Sequence, residues 1–459
     1  MNEHVKAYIK ARGYTINENA LSIISQADDW YRIRETESHR RITVNGQEKK
    51  LCRMGFAKRA AADDAILCEV LDINAGEHCS DLVSEILAAN RFDTQYRRQL
   101  EEVSAEGTAA CYVRLDNADI MTDNTLQGGD IRLNYVNAGG FLPLTVENDE
   151  VLEAAFWGDN YIGTDKTTVL VICTRDPETR HYRYETVHFG KDGKHENAVK
   201  TDLGEVKPFA VMYTAEVNSI DGMKGYGYPK VYGSIPVFLG LDAAFTALFG
   251  DIDMSEALTF INEKLCGFED DGTPIPPNEA QKKRFVFLGD HLPQKDTLIQ
   301  REQPEIRIST FKDTVEVLLS IMSTKFGYGT KKYRFEGTEI QTAAQYIGER
   351  QDMMQELNKQ RYQAREYITG IIKAIVWFEN TFHGAALPLP TDDEIQIQFD
   401  DSYIESRADR LESYRQDVIN NIGGLHVRAL YLKEKYNLTD EDAEAWARSV
   451  GEEDDEPGA

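Results

Sequence analysis

The sequence predicts an α+β protein built from several modules. Three observations carry this. Apolar residues recur at helical spacing over 59–72 and 81–104, seven short strand-like runs lie between 105 and 215, and long apolar-striped helices return after Pro229. The chain has 459 residues, room for about two to four domains.

The helix over 81–104 rests on Leu82, Ile86 and Ala89, spaced by four and three. The strand-like runs are 110–116, 131–137, 141–147, 151–157, 168–174, 181–189 and 208–214, with turn signals such as Gln127-Gly128-Gly129-Asp130 and Lys191-Asp192-Gly193 between them. They predict a mostly antiparallel sheet. From Ser234, a candidate N-cap with Pro236 in the first turn, Leu241, Phe245, Leu248 and Ile252 form one stripe. Leu258, Ile261 and Leu265 continue it to a stop at Gly267, giving a helix of about 45 Å.

Residues 268–308 hold five of the thirteen prolines and two strand-like pieces, 284–289 and 305–309. They read as a stiff β-rich insertion. Residues 311–326 form a second helix, with Phe311, Val315, Leu318, Met322 and Phe326 on one side. After a basic, glycine-containing loop comes the longest helical pattern, about 339–380, near 60 Å and too long for one compact domain. A strand at 394–399, two or three short charged helices over 402–450 and an acidic, solvated tail complete the chain.

The net charge of −27 argues against a protein that grips nucleic acid, because such binding draws on Lys and Arg displacing phosphate counterions. It is compatible with a surface past which DNA slides, and equally with plain solubility. No run of about eighteen consecutive apolar residues is present, so no membrane span is expected, and no apolar leader segment precedes the first helix. The six cysteines lack CxxC spacing and read as reduced, buried thiols.

Catalytic motifs are not found. There is no Walker A loop, no HExxH pair and no G-x-S-x-G elbow. Glu77-His78-Cys79 lacks the second half of a metal site, Asp251 and Asp253 point to different sides of a helix, and 269–272 lacks the remaining ligands of a calcium loop. No cofactor or metal is expected, and no enzymatic activity.

The order of modules resembles the portal (head–tail connector) proteins of tailed bacteriophages, in particular those of phages of Gram-positive hosts. Residues 100–117 and 131–156 resemble the family's wing sheet, and 226–265 its approach to the first stem helix. Residues 337–360 resemble its tunnel loop and kinked helix, and 400–447 its crown. The run Gln341-Thr342-Ala343-Ala344-Gln345 departs from the pattern expected at the start of the kinked helix.

The resemblance implies a wing over 1–230, a stem helix over 231–267 and a clip over 268–308. It further implies a second stem helix over 309–327, a tunnel loop over 328–341, a long helix with a returning wing strand over 339–400, and a helical crown over 401–459. It implies a non-enzymatic, dodecameric ring at one capsid vertex of the virion, assembled in the host cytoplasm. Its partners would be terminase large subunit, head–tail adaptor, capsid and scaffolding proteins, and duplex DNA in transit without sequence specificity; no membrane is involved. Lys331, Lys332 and Arg334 become candidate DNA contacts in the tunnel loop, or are solvated loop charges. Lys282, Lys283 and Arg284 touch DNA at the clip mouth, or pair with acidic partner loops. The competing readings are a nucleic-acid-processing enzyme of unrecognised type and a capsid-associated adaptor without a channel.

Overall fold

A computed structural model describes the chain apart from residues 1, 43–47, 121–125, 163–164, 191–192, 194–197, 256–257, 263–269, 271–284, 289–298, 303–304, 331, 334–342, 401–406, 420–423, 437 and 454–459. The described residues are mixed helix and sheet.

Two helices open the chain, α1 (Glu3–Ala11) and α2 (Glu18–Tyr31), each started by an asparagine. Asn2 accepts the His4 N–H, and Asn17 accepts those of Asn19 and Ala20. A short hairpin follows, β1 (Arg40–Ile42) with β2 (Glu48–Lys50), then α3 (Phe56–Ala65), β3 (Val70–Asn74), α4 (Ser80–Ala89) and α5 (Phe92–Glu106).

Both helices expected here are shorter than their patterns. The first ends at Ala65 and becomes β3, because Val70 and Ile73 pair with a strand from the far end of the chain, β17 (Gln396–Phe399). The second breaks at Asn90-Arg91, where Arg91 takes φ +52°. The break frees the Asn90 amide to donate to Ile131 O at 3.0 Å and accept from Leu133 N at 3.0 Å.

The strand region forms two packed sheets. In the first, β4 (Thr108–Asp116) lies between β7 (Asp130–Asn137) and β13 (Phe209–Tyr213), all antiparallel, with a small ribbon of β5 (Asp119–Ile120) and β6 (Leu126–Gln127) beside it. The second is an antiparallel meander of β8 (Phe141–Glu147), β9 (Glu150–Ile162), β10 (Asp165–Arg175), β11 (Tyr182–Phe189) and β12 (Val199–Gly204). Alternation sends Phe156 and Val171 inward, where Phe156 stacks on Tyr112 and meets Phe209. Leu170, Ile172 and Val187 point outward and are covered by Val5 and Ile9 of α1.

The chain then enters α6 (Lys230–Met254), a three-stranded sheet of β14 (Leu258–Asn262), β15 (Phe285–Leu288) and β16 (Ile299–Glu302), and α7 (Ile308–Lys325). Next come α8 (Ala343–Phe378), a π-helical turn (Glu379–His383), β17, and three short helices, α9 (Arg407–Ile419), α10 (Gly424–Tyr436) and α11 (Asp440–Glu453). Three expectations change here. α6 begins at Lys230, before Ser234, so Pro236 lies inside the helix. α6 also stops at Met254, since Thr259, Phe260 and Ile261 are strand formers paired on both sides, parallel to β15 and antiparallel to β16. The expected strand at 305–309 does not form: residues 305–307 are irregular and α7 begins at Ile308.

By length and composition alone, α6 is apolar enough to cross a membrane, contrary to the sequence expectation. Cys68, Cys79, Cys111 and Cys173 are free and buried, Cys52 is exposed, and Cys266 lies outside the described residues.

α8 runs over the three-stranded sheet and ties down sheet edges. Its Gln360 amide donates to Tyr213 O at 3.0 Å and accepts from Ala215 N at 2.8 Å, as a neighbouring strand would. Its Trp377 indole donates to Leu203 O on the last strand of the meander at 2.7 Å. With Asn90 on β7, these side chains satisfy edge groups that would otherwise recruit another strand.

Glu102 and Glu106 on α5 face Asp28 of α2 and Arg32 just after it. Burial pushes the Glu102 carboxyl up to about 7, outweighing Arg32 and Arg98. Burial, with Asp28 and Glu102 adding to it, pushes Glu106 well above the carboxylate range. A carboxyl whose folded pKa exceeds its unfolded one loses stability as pH rises between the two values. Glu102 therefore destabilises the fold progressively from pH 4.5 to about 7 and fully above. Glu102→Gln is expected to exceed the parent in stability by up to about 3 kcal/mol at pH 8 and to match it at pH 4, read from urea unfolding midpoints.

Candidate functional site

The paired helices α6 and α7 are rooted in a buried ion cluster. Lys230, the first residue of α6, has a side chain only 1% exposed. Its Nζ lies 3.2 Å from Asp64 Oδ2 on α3 and 3.0 Å from Glu356 Oε1 on α8. Burial opposes the charge, but Asp64, Glu356 and Glu216 overcome it and hold the ammonium above its usual pKa.

The chain just after α7 joins the same cluster. Tyr328 OH donates to Asp64 Oδ1 at 3.0 Å, and Tyr333 OH donates to Asp63 Oδ2 at 3.0 Å. Arg59 grips Asp63 through Nη2 at 2.8 Å and Nε at 3.0 Å. Gly327 turns the chain with φ +79°, and a Cβ there would stand 2.7 Å from Glu356 Cγ, so only glycine lets α7 end this close to α8. Helix α3, both paired helices and the long helix thus meet on three neighbouring carboxylates.

At the other end of the pair, Arg307 makes a two-point contact with Asp251, at 2.9 and 2.8 Å. This closes the base of the β14–β16 insertion, so the two helices form an arm with a small sheet at its tip. Between root and tip much of the arm is bare. Phe249 and Ile252 on α6, and Val317 and Ile321 on α7, are exposed apolar side chains. Within its most apolar window α6 has a mean hydropathy of 1.6, yet only 28% of that window is buried inside the chain.

Of the basic residues singled out in the sequence, Lys332 is described. Its N–H donates to Ser323 Oγ at 3.2 Å and its Nζ sits 4.1 Å from the centre of the Tyr328 ring, a cation–π contact that ties it to the root of the arm. Lys331, Arg334, Lys282, Lys283 and Arg284 lie outside the described residues. The cluster residues Asp64, Lys230 and Glu356 escaped sequence reading. The one signal available was Asp63-Asp64 inside the alanine-rich α3, where two carboxylates on an apolar helix require partners. Among the described residues no group of three or more His, Cys, Asp or Glu side chains is arranged to hold a metal ion. Cys79, from the Glu77-His78-Cys79 run, donates its thiol to Pro388 O at 3.4 Å.

No family model and no curated protein matches this chain. Among solved structures it is similar to a chain in the neck of a native gene transfer agent particle computed with C12 symmetry, at TM-score 0.40 and 10% identity, covering 82% of this chain and 89% of that one. A chain in the neck of the empty particle, computed with C6 symmetry, matches at TM-score 0.40 and 10% identity over 80% and 90%. Likeness at this level does not establish a shared fold.

Removing the Lys230 ammonium leaves Asp64 without its cation and Glu356 with only the exposed Lys359 at 3.5 Å. Lys230→Met is expected to cost about 3–5 kcal/mol in chemical unfolding. Adding Asp64→Asn and Glu356→Gln, which removes the stranded charges, is expected to recover most of that loss.

Proposed function

We propose that this chain is a portal-type subunit: copies close into a ring whose central channel passes double-stranded DNA, without enzymatic chemistry of their own. The observation that carries the reading is the α6–α7 arm. An apolar helix left largely uncovered within one chain requires another surface, and a closed ring supplies the neighbouring copy's arm on each side. A bilayer fits less well. Asp242 and Thr246 stand midway along α6, and the N–H groups of Met54 and Cys52 bond to them at 2.9 and 2.8 Å, so loop backbone occupies that side of the helix.

In this reading the sheets and α8 form the wing, α6 and α7 the stem, the insertion after α6 the clip and α9–α11 the crown. The clip is the docking platform for a packaging terminase and then an adaptor. The strongly acidic chain keeps DNA mobile, while a few cations per copy make weak, salt-sensitive contacts. Lys331, Lys332 and Arg334 remain the candidates in the tunnel loop, and Lys282, Lys283 and Arg284 at the clip mouth.

Electron microscopy of the purified full-length protein is expected to show rings of about twelve copies with a central hole. A monomer at every concentration overturns the reading. Replacing Lys331, Lys332 and Arg334 with Ser is expected to leave rings intact and lower the DNA packaged per particle; unchanged packaging removes these residues from the channel's contacts.

A further inference from the structure

A groove of about 460 Å³ opens between α5, the edge strand β7 and the second half of β9, in the size range of small-molecule sites. Its floor has a local cause. Gly158 of β9 pairs with Val169 of β10, and a Cβ at 158 would meet nothing within 4 Å. The missing side chain leaves that space open.

Strand alternation decides which side chains share the groove. Tyr112 pairs with Asn134 and Arg114 with Arg132, so these four lie on the face where Tyr112 stacks on Phe156 of β9. Two of them are incomplete. Arg114 Nε and Asn134 Nδ2 are buried and find no hydrogen-bond partner among the described residues, and both residues line the groove. A buried donor left unmade carries its full desolvation penalty, so native folds rarely keep two together. The Tyr135 hydroxyl is also buried and unpartnered, but Tyr135 pairs with Cys111 and lies on the opposite face, where Cys111 meets Tyr367 of α8. The charge around the two donors is positive. Arg114 and Arg132 share one carboxylate, with Arg114 Nη2 3.1 Å from Asp116 Oδ1 and Arg132 Nε 3.9 Å from its Oδ2. On the α5 wall, Arg98 is exposed, and burial pushes the neighbouring Glu102 up to about 7.

We infer that this groove binds a small polar carboxylate of the hydroxy-acid class, held by the Arg114 Nε and Asn134 Nδ2 donors with the Arg98 guanidinium at the rim. Two N–H donors match the two oxygens of one carboxylate. A doubly charged phosphate fits less well, because it would face the ionising Glu102 with twice the charge. The amides of Gln95 and Asn160, on opposite walls, each donate and accept and so suit hydroxyl groups on the ligand's body. Glu102 also sets a pH dependence. Arg32 and Arg98 favour its ionised form, Asp28 and Glu101 oppose it, and Glu106 stays well above the carboxylate range. Glu102 therefore gains its charge as pH rises through about 7, and the anion is then repelled. The groove lies within one chain, so the inference stands apart from the ring reading.

The test is calorimetric titration of the full-length protein with gluconate at pH 6 and pH 8, beside sorbitol, its uncharged counterpart, and inorganic phosphate. Circular dichroism and particle mass are the controls for fold and assembly. Gluconate is expected to bind, sorbitol not to, and phosphate to bind more weakly. The double variant Arg114→Met, Asn134→Leu is expected to lose gluconate affinity by about tenfold or more. Gly158→Leu is expected to abolish binding with the fold intact, since its side chain fills the floor without meeting a neighbour. Parental affinity is expected to fall about fivefold from pH 6 to pH 8, and Glu102→Gln to remove that fall. Gluconate bound no more tightly than sorbitol overturns the inference, as does unchanged affinity in the folded double variant or in Gly158→Leu. Phosphate bound more tightly than gluconate overturns the carboxylate assignment. So does a parent that binds no gluconate while the double variant loses particle mass, which gives the two donors to an acceptor on a second copy.

Discussion

Everything in this molecule turns on one buried ammonium. Lys230 ends the loop from the sheets and begins α6, and it sits between a carboxylate of α3 and one of α8. An ammonium in such a place tolerates no displacement, because each buried charge left unpaired costs several kcal/mol. Helix α3, the arm and the long helix are therefore locked at one point, and Tyr328, Tyr333 and Gly327 bring the end of α7 to the same point. The arm leaves the body in one direction, with a closed root and a closed tip.

That rigidity gives the bare arm its meaning. A loose apolar helix would fold back on its own chain, whereas an arm fixed at the Lys230 cluster and clamped by Arg307 on Asp251 keeps its apolar sides available to a neighbour. The sheets do the reverse. Asn90, Gln360 and Trp377 place side-chain hydrogen bonds on the edges at β7, β13 and β12, which makes those edges poor sites for an added strand. The distribution of satisfied and unsatisfied surfaces thus favours side-by-side arms over sheet extension.

Much of this architecture was legible in the sequence. Seven of the ten described strands between Thr108 and Tyr213 overlap apolar runs bounded by turn residues, whereas the short β5 and β6 and the edge strand β12 gave no such run, and β9 extends to Ile162, past its apolar stretch. α7 and α8 were readable from apolar spacing sustained over many turns. Reading failed where a distant partner overrode local preference. The pattern over 81–104 is helical throughout, and only the edge of β7 explains why Asn90 ends one helix. The stripe of α6 continues past Met254 in sequence, but Thr259 to Ile261 find strand partners at 285–287 and 299–301. Lys230 carried no local signal at all: a lysine at the head of an apolar run looks like a solvent boundary, and its partners lie at 64 and 356.

The central claim is that the exposed apolar sides of α6 and α7 are covered by another copy of the chain. The most direct measurement is particle mass in solution for the parent and for a variant with Phe249→Lys and Ile321→Lys, with circular dichroism as the control for folding. The account predicts a closed multimer for the parent and a folded monomer for the variant, since lysines on that surface cannot be desolvated against a neighbouring arm. A variant that keeps the full mass of the parent's multimer would contradict it.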